Sequence, residues 1–443
     1  MSLMPDRQGS GQSMLAARIQ NMLAAGIDGD ATPFDKLALD VFAYQYRCNV
    51  PYRAFCDALK RHPDNVSGWR DIPAFPTESF KTELVTSFPF EQAVMAQLTS
   101  GSTAIVRGQI FRDEIGRALV LEANRVMAAA FLFPDLGNDQ RCRVLILAPS
   151  PEMAPSMGMA VGMEETRRHF GTANSRFLLN HGGIDVAAMV AALSESEASG
   201  VPVAMIGSTS AFVFFFKACH KRGVSFHLPA GSRIGDGGGY RGRFGEVTQE
   251  DYLALAYQVL GIPAAYCVNV LGMAESATNY FDDTLRCAVT GEHSGKRMRR
   301  NPPWTRTVAV SLDTLSILPP GEIGLLRHYD VVNLPTVLAV QTDNLGYTDA
   351  AGNFQIVGRA QREQSGKVSL LPSERTVGPM GDKRIFRMLE AYVNFSIRFK
   401  SGRLKPRTPM VPPACPCGEL ADSMIADTPA EALTRTALSS VRH

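Results

Sequence analysis

Between Asp113 and Leu228 the chain alternates helix-length amphipathic segments with short apolar runs, and this rhythm restricts the fold more than any other feature. Asp113 to Phe133 predicts a long helix, and Val144–Ala148 a buried strand closed by Pro149-Ser150-Pro151. A helix near Val186–Ser194, a strand at Pro202–Ile206, a helix at Ala211–Lys221 and a strand at Val224–Leu228 continue the series. Helices interleaved with apolar strands predict an α/β domain with a mostly parallel sheet flanked by helices. From about Thr307 the spacing changes to shorter strands with turns at Gly321, Gly324, Gly346 and Gly352, which predicts a small β-rich subdomain. Upstream, a poorly ordered start leads into a short amphipathic helix through Met14–Ala25. Phe34, Leu37, Val41 and Tyr44 then open a helical stretch towards Arg61. Asp71 to Lys81 is broken by prolines, with Thr77 placed to cap a following helix.

At 443 residues the chain exceeds one compact core and implies a large domain with smaller pieces. A net charge of +2 gives no reason to expect a nucleic-acid or membrane-surface partner. Lys296 to Arg300 is a local basic cluster that reads as a solvated loop, with the rim of an anionic ligand as the alternative. The eight cysteines are scattered at 48, 56, 142, 219, 267, 287, 415 and 417, a pattern of reduced thiols rather than a disulfide framework. Cys415 and Cys417 are too close together for a zinc knuckle. No basic, then apolar, leader opens the sequence, and no run of about 18 apolar residues could span a bilayer. The expectation is a cytoplasmic protein without stable membrane insertion. Five prolines between Pro406 and Pro416, then small and polar residues, predict a flexible tail over 402–443.

Several segments carry candidate chemistry. Thr99, Ser100, Gly101, Ser102 and Thr103, followed by Ala104 and Arg107, combine four hydroxyls, successive backbone N–H groups and a cation, the makings of an anion nest. Taken alone, the segment reads equally as a Ser/Thr-rich surface loop. Gly237, Gly238, Gly239 and Tyr240 would let a flat ligand lie on the backbone beside an aromatic ring. Gly272-Met273-Ala274-Glu275 places one carboxylate near a turn after an apolar segment. Thr342-Asp343 follows Val337–Val340, where the acid could accept two ribose hydroxyls, and Gly358-Arg359 supplies a further cation.

In this order, these segments resemble the acyl-adenylate-forming superfamily of acyl-CoA ligases, firefly-type luciferases and peptide-synthetase adenylation domains. Leu98–Arg107 is similar to its phosphate loop, Gly237–Tyr240 to its adenine-side loop, and Gly272–Glu275 to its Tyr-Gly-x-Thr-Glu motif. Thr342-Asp343 resembles the ribose motif without its glycine, and Gly358-Arg359 the pair before the interdomain hinge. Phe34–Phe42, Asp71-Ile72-Pro73, Phe80-Lys81, Pro149–Gly158 and Pro302-Pro303-Trp304 narrow the resemblance to the acyl-protein synthetases of bacterial luminescence. The resemblance covers roughly residues 34–360.

It implies an N-terminal extension over 1–33 and an adenylate-forming domain over 34–357, with its β-rich part at about 307–357. A hinge and small C-terminal domain over 358–401 and then the tail would follow. It also implies activation of a carboxylic acid, here a fatty acid, by ATP as acyl-AMP, with pyrophosphate leaving. The acyl group then passes to a thiol: a protein cysteine, a carrier protein or CoA. Thr99, Ser100, Gly101, Ser102, Thr103 and Arg107 would hold the phosphates, Glu275 the Mg2+, and Gly237, Gly238, Gly239 and Tyr240 the adenine. Asp343 would hold the ribose, with Arg359 assisting catalysis. Ala104, Arg107 and Ala274 depart from the family pattern, and Gln361 stands where a charged hinge residue is usual. Lys400 and Lys405 are the candidates for the family's C-terminal lysine, and Cys415 and Cys417 lie in an unfamiliar setting for its acylated cysteine. A catalytically degenerate nucleotide- or acyl-binding member is the alternative.

Overall fold

A computed structural model describes residues 6–99, 108–180, 183–239, 241–242, 245–292, 296–362 and 368–370. Two six-stranded sheets organise them. In the first, the order is Tyr280–Phe281, Cys267–Leu271, Arg233–Gly237, Val203–Ser208, Arg143–Leu147 and Arg176–Phe177. All neighbours there are parallel except the Tyr280–Phe281 edge. Its strands Arg143–Leu147 and Val203–Ser208 are mostly apolar because both faces are covered, while Arg233, Asp236 and Asn269 are buried polar side chains in the neighbouring strands. Val144 and Ile146 face a core shared with Met127 and Phe131 of helix Glu114–Phe131. Leu145 and Leu147 face the opposite core with Met189, Phe212 and Tyr252. A two-residue period therefore splits one apolar strand between two helical layers.

The helices begin where polar side chains satisfy their first N–H groups. Asp113 accepts from Gly116 N at 2.8 Å, Asp185 from Ala188 N at 2.9 Å, and Ser208 from Ala211 N at 3.2 Å. The N-terminal helix covers Asp6–Ala25, longer than the sequence suggested. Its Leu15, Ile19 and Leu23 join the first core, and Gln12 donates to Asp113 at 2.6 Å. The stretch expected to run helically from Phe34 towards Arg61 is two helices, Phe34–Cys48 and Val50–Ala58, broken at Asn49. There the Asn49 side chain accepts from Tyr52 N and donates to Thr336 O, so a distant strand connection fixes the break. Thr77 begins a 3-10 turn, Thr77–Lys81, rather than capping an α-helix.

The second sheet runs Thr305–Val310, Gly324–Asp330, Ala339–Thr348, Phe354–Arg362 and Val368–Leu370, antiparallel throughout, with Phe75–Pro76 added parallel to Ala339–Thr348. Its Tyr329, Val331 and Val340 belong to the same core as Val144 and Phe131, which fastens the two sheets together. Two sequence expectations fail here. Gly346 lies inside the ten-residue strand Ala339–Thr348 instead of at a turn, because Gln355 O stands 2.1 Å from where its Cβ would be. Val224–Leu228 is not a strand; Phe226 N and Leu228 N bond to Val259 O and Leu260 O instead. They satisfy the carbonyls left open at the end of helix Gln249–Leu260. The boundary expected at 357/358 falls within the continuous strand Phe354–Arg362, and the tail over 402–443 lies outside the described residues. Among the described residues, no helix is long and apolar enough to cross a membrane.

Candidate active site

The Ser/Thr segment connects two paired strands. Met95–Leu98 and Gln109–Arg112 pair antiparallel, with Leu98 opposite Gln109. Thr99 N donates to Gly108 O at 2.9 Å, and Gly108 N donates to Thr99 Oγ1 at 3.0 Å, closing the foot of the loop. A side chain at position 108 would press on Thr99 Cγ2 at 2.8 Å and Phe80 O at 2.9 Å. Ser100, Gly101, Ser102, Thr103 and Arg107 lie outside the described residues. Leu98 N reaches Ser156 O, which seats the hairpin on the Pro149–Gly158 segment.

Gly237–Gly239 and Gly272–Glu275 leave the carboxyl ends of neighbouring parallel strands, where Val270 stands opposite Gly237. Ligands of open α/β sheets bind at this edge, because loops from adjacent strands diverge there. Gly238 has φ +122°, a conformation that favours glycine, and its carbonyl accepts from Asn269 Nδ2 at 3.0 Å. Just before it, buried Asp236 accepts from Thr209 Oγ1 at 2.6 Å and from Asn269 Nδ2 at 3.0 Å. Burial pushes its carboxyl up to about 7, against those two hydrogen bonds. Tyr240 lies outside the described residues.

The turn bearing Glu275 is held from three directions. Arg112, fully buried, donates through Nη2 to Ala274 O at 3.0 Å and Ser276 O at 3.3 Å, and through Nη1 to Gln97 Oε1. Asp330 Oδ2 accepts from Ser276 Oγ, Ala277 N and Thr278 N at 2.8–3.1 Å. Asn333 Nδ2 donates to Glu275 O at 2.8 Å. The Glu275 carboxyl is raised above the usual range by burial, which Arg359 opposes and the negative charges of Asp343 and Glu78 reinforce. The same electrostatic neighbourhood thus includes residues from both sheets.

Asp343 and Arg359 sit on adjacent strands, with Arg359 in register with Asn344. Arg359 Nε lies 3.8 Å from Asp343 Oδ1 and donates to Asn344 Oδ1 at 3.3 Å, both charged side chains being about half exposed. Thr342 turns inward instead, its hydroxyl donating to Leu326 O at 2.7 Å. Glu78, paired with Lys81 at 2.5 Å, brings a third acid and a lysine-borne charge to this region.

Sequence reasoning missed Arg112, Asp330 and Asn333, because their targets are mainly backbone groups of a distant turn. Phe80-Lys81 had been singled out, but not the charge pair that Lys81 makes. Helix Thr209–Arg222 buries Phe212, Phe215 and Phe216 in the second core, with Phe214 only half-buried. The basic cluster at Lys296–Arg300 is not a solvated loop: Arg297 pairs with Asp282 at 2.6 Å, and Arg299 is buried against Asn269 and Gln355. A cavity of about 720 Å3 lies around Asp283, Tyr347 and Asp349, with Lys296 and Arg300 of the basic cluster at its wall, and none of the nucleotide-site candidates lines it.

Among the described residues, no three His, Cys, Asp or Glu side chains form a metal cluster. Magnesium does not require one, since one or two carboxylates and substrate phosphates suffice. Glu275, an oxygen donor whose ionisation is opposed by burial and two further acids, has the chemistry that a divalent cation would relieve.

A family model described as acyl-protein synthetase, LuxE, matches residues 20–372. The long-chain-fatty-acid–luciferin-component ligase of Vibrio harveyi is 24% identical over 318 residues, covering 70% of this chain and 78% of that protein. Among solved structures, 2-hydroxyisobutyryl-CoA ligase with 2-HIB-AMP superposes with a TM-score of 0.53 at 12% identity, covering 76% of this chain and 70% of that one. At that identity the likeness is one of fold. ATP-bound MatB from Rhodopseudomonas palustris gives a TM-score of 0.42 at 13% identity over 62% of this chain, which spans about half of its length (49%).

Proposed function

The chain belongs to the acyl-protein synthetase family, LuxE, and on that premise we propose that it activates a long-chain fatty acid with ATP as acyl-AMP and passes the acyl group to a thiol. One observation supports this above the others. Asp343 and Arg359 from the antiparallel sheet bear on the Glu275 carboxyl at the end of the parallel one, and Arg112 joins the Glu275 turn to the hairpin carrying the Ser/Thr loop. Segments 162 residues apart thereby form one polar site.

In the first step the acid's carboxylate attacks the α-phosphorus of ATP, forming the acyl-phosphate bond as the bond to pyrophosphate breaks. The protein needs only to position the reactants and neutralise charge. The Ser/Thr loop with Arg107 cradles the outer phosphates, Gly237–Gly239 and Tyr240 flank the adenine, Asp343 accepts the ribose hydroxyls, and Arg359 stands beside it. Magnesium, held at Glu275, would supply charge neutralisation on the phosphates. In the second step a thiolate attacks the acyl carbonyl and AMP leaves.

The acceptor is CoA, a carrier protein's thiol or a cysteine of a protein. Burial raises the thiols of Cys56, Cys142, Cys219, Cys267 and Cys287, with Cys219 pushed up to about 11, which makes all five poor nucleophiles. Cys415 and Cys417 lie outside the described residues.

The deciding experiment is ATP–pyrophosphate exchange across short, aryl and long-chain acids. Exchange that rises with chain length is expected. Bound ATP with no exchange for any acid would replace this reading with that of a nucleotide-binding member without ligase activity.

A further inference from the structure

We propose that Arg112 is a positioning residue that locks the Ser/Thr hairpin and the Glu275 turn into one unit, so that the metal-binding carboxylate meets the triphosphate in a single geometry. The inference rests on the proposed function and adds to it a residue that no part of the sequence pattern assigns.

The geometry is unusual for a strand-end arginine. Arg112 lies at the far end of the hairpin from the loop, opposite Met95, and its side chain is fully buried. One guanidinium nitrogen bonds to the carbonyls on both sides of Glu275, while the other bonds to Gln97, two residues before Thr99. Gln97 has no freedom to withdraw. A side chain at Gly158 would meet its Nε2 at 2.8 Å, and Ser156 from the same segment bonds Leu98. The hairpin and the acid turn therefore share one cation, and the Pro149–Gly158 segment is bonded to the hairpin beside it.

A buried guanidinium must recover its lost hydration from hydrogen bonds and counter-charges. Burial lowers its affinity for the proton to about 10, while the charges of Asp330 and Glu275 pull the other way, so it stays charged at neutral pH. Its Nε finds no partner among the described residues. Asp330 grips the next part of the same turn through Ala277 N and Thr278 N. The cation holds carbonyls and the anion holds N–H groups, so the peptide bearing Glu275 is clamped by both polarities. A lysine could not reproduce this, because one compact ammonium lacks the planar fork that spans Gln97 and two carbonyls.

Removing a group that orients a metal-binding side chain typically changes metal affinity by about 10–100-fold. The test measures binding of ATP by calorimetry, with Mg2+ and separately with EDTA, for wild type, Arg112→Lys, Arg112→Gln and Gln97→Ala. Far-UV circular dichroism and a thermal melt check that each variant is folded. In the Arg112 variants the gain in affinity conferred by Mg2+ should fall about 10–100-fold, with ATP affinity in EDTA within about twofold of wild type. Gln97→Ala, which keeps the buried charge and truncates one bond, should lose the gain by several-fold, and it decides the matter if the Arg112 variants do not fold. A magnesium gain retained in folded variants overturns the inference alone. Equal losses with and without magnesium also overturn it, since Arg112 would then be merely structural. A wild type that gains nothing from magnesium overturns the assignment of Glu275 and this inference with it.

Discussion

Replacing Thr99 by valine isolates what the foot of the Ser/Thr loop contributes. The substitution preserves shape and removes one oxygen, the acceptor of the buried Gly108 N–H at 3.0 Å. Leaving a buried donor unsatisfied costs about 1–3 kcal/mol. Thr99→Ser keeps that acceptor and loses one buried methyl group, about 0.8 kcal/mol. With a urea slope of about 3 kcal/mol/M, valine should lower the unfolding midpoint by roughly 0.3–1 M and serine by about 0.3 M. Binding separates the two more sharply. The reciprocal Thr99–Gly108 bonds bring the ends of an eight-residue segment together, and losing about 1.4 kcal/mol of that closure weakens nucleotide affinity about tenfold. Calorimetric titration with ATP and Mg2+ should therefore show valine about tenfold weaker and serine close to wild type. A valine variant that binds like wild type would refute the view that this foot shapes the phosphate loop.

Four further outcomes follow from named groups. Glu275→Gln should remove the magnesium-dependent part of ATP binding and reduce acid-dependent pyrophosphate exchange at least 100-fold, about 2.7 kcal/mol; exchange near wild type would clear Glu275 of that role. Arg359→Gln should lower exchange about tenfold or more while leaving the melting temperature within about 1 °C, because a half-exposed ion pair contributes under about 1 kcal/mol. Lys81→Met should raise the KM for ATP several-fold with little change in stability, its Glu78 partner being largely exposed; an unchanged KM removes Lys81 from the site. For Asp236 the sign is set by burial, which raises the native carboxyl to about 7 from an ordinary 3.8, with Asp282 adding to the rise and Arg297 opposing it. Between those values the native state binds more proton at this carboxyl than the unfolded one, so the stability Asp236 contributes is fully present below about pH 4 and is lost as pH rises to 7. Asp236→Asn should flatten that fall, on the order of 4 kcal/mol, in urea titrations at a series of pH values.

Local signals read the parallel domain well because each was enforced locally. Asp113 caps its helix through a bond three residues away, and Val144 and Leu145 divide between two cores by the strand period. Where the decisive partner is remote, the same signals misled. Val-Ser-Phe-His-Leu at 224–228 alternates like a strand, yet the open carbonyls of helix Gln249–Leu260 claim its N–H groups. Gly346 looks like a turn residue, but it is glycine because Gln355 O crosses the strand too closely for a Cβ. Residue type was visible at these positions, and the reason for it was not.

The candidate site divides along the same line. Glu275, Asp343 and Arg359 could be read in sequence because their proposed work demands a charged side chain of a given sign, and residue type records that demand. Arg112, Asp330 and Asn333 act largely through backbone carbonyls and N–H groups of the 274–278 turn, and backbone groups are the same in every sequence. Yet these are the residues that carry the turn of the parallel sheet to the antiparallel one. Asp330 ends the strand Gly324–Asp330 and Asn333 follows it, while Arg112 comes from the hairpin, so two separate parts of the fold meet on five residues of backbone. In a site whose proposed catalysis rests on position rather than covalent chemistry, the clamp around that turn matters as much as the charges it presents.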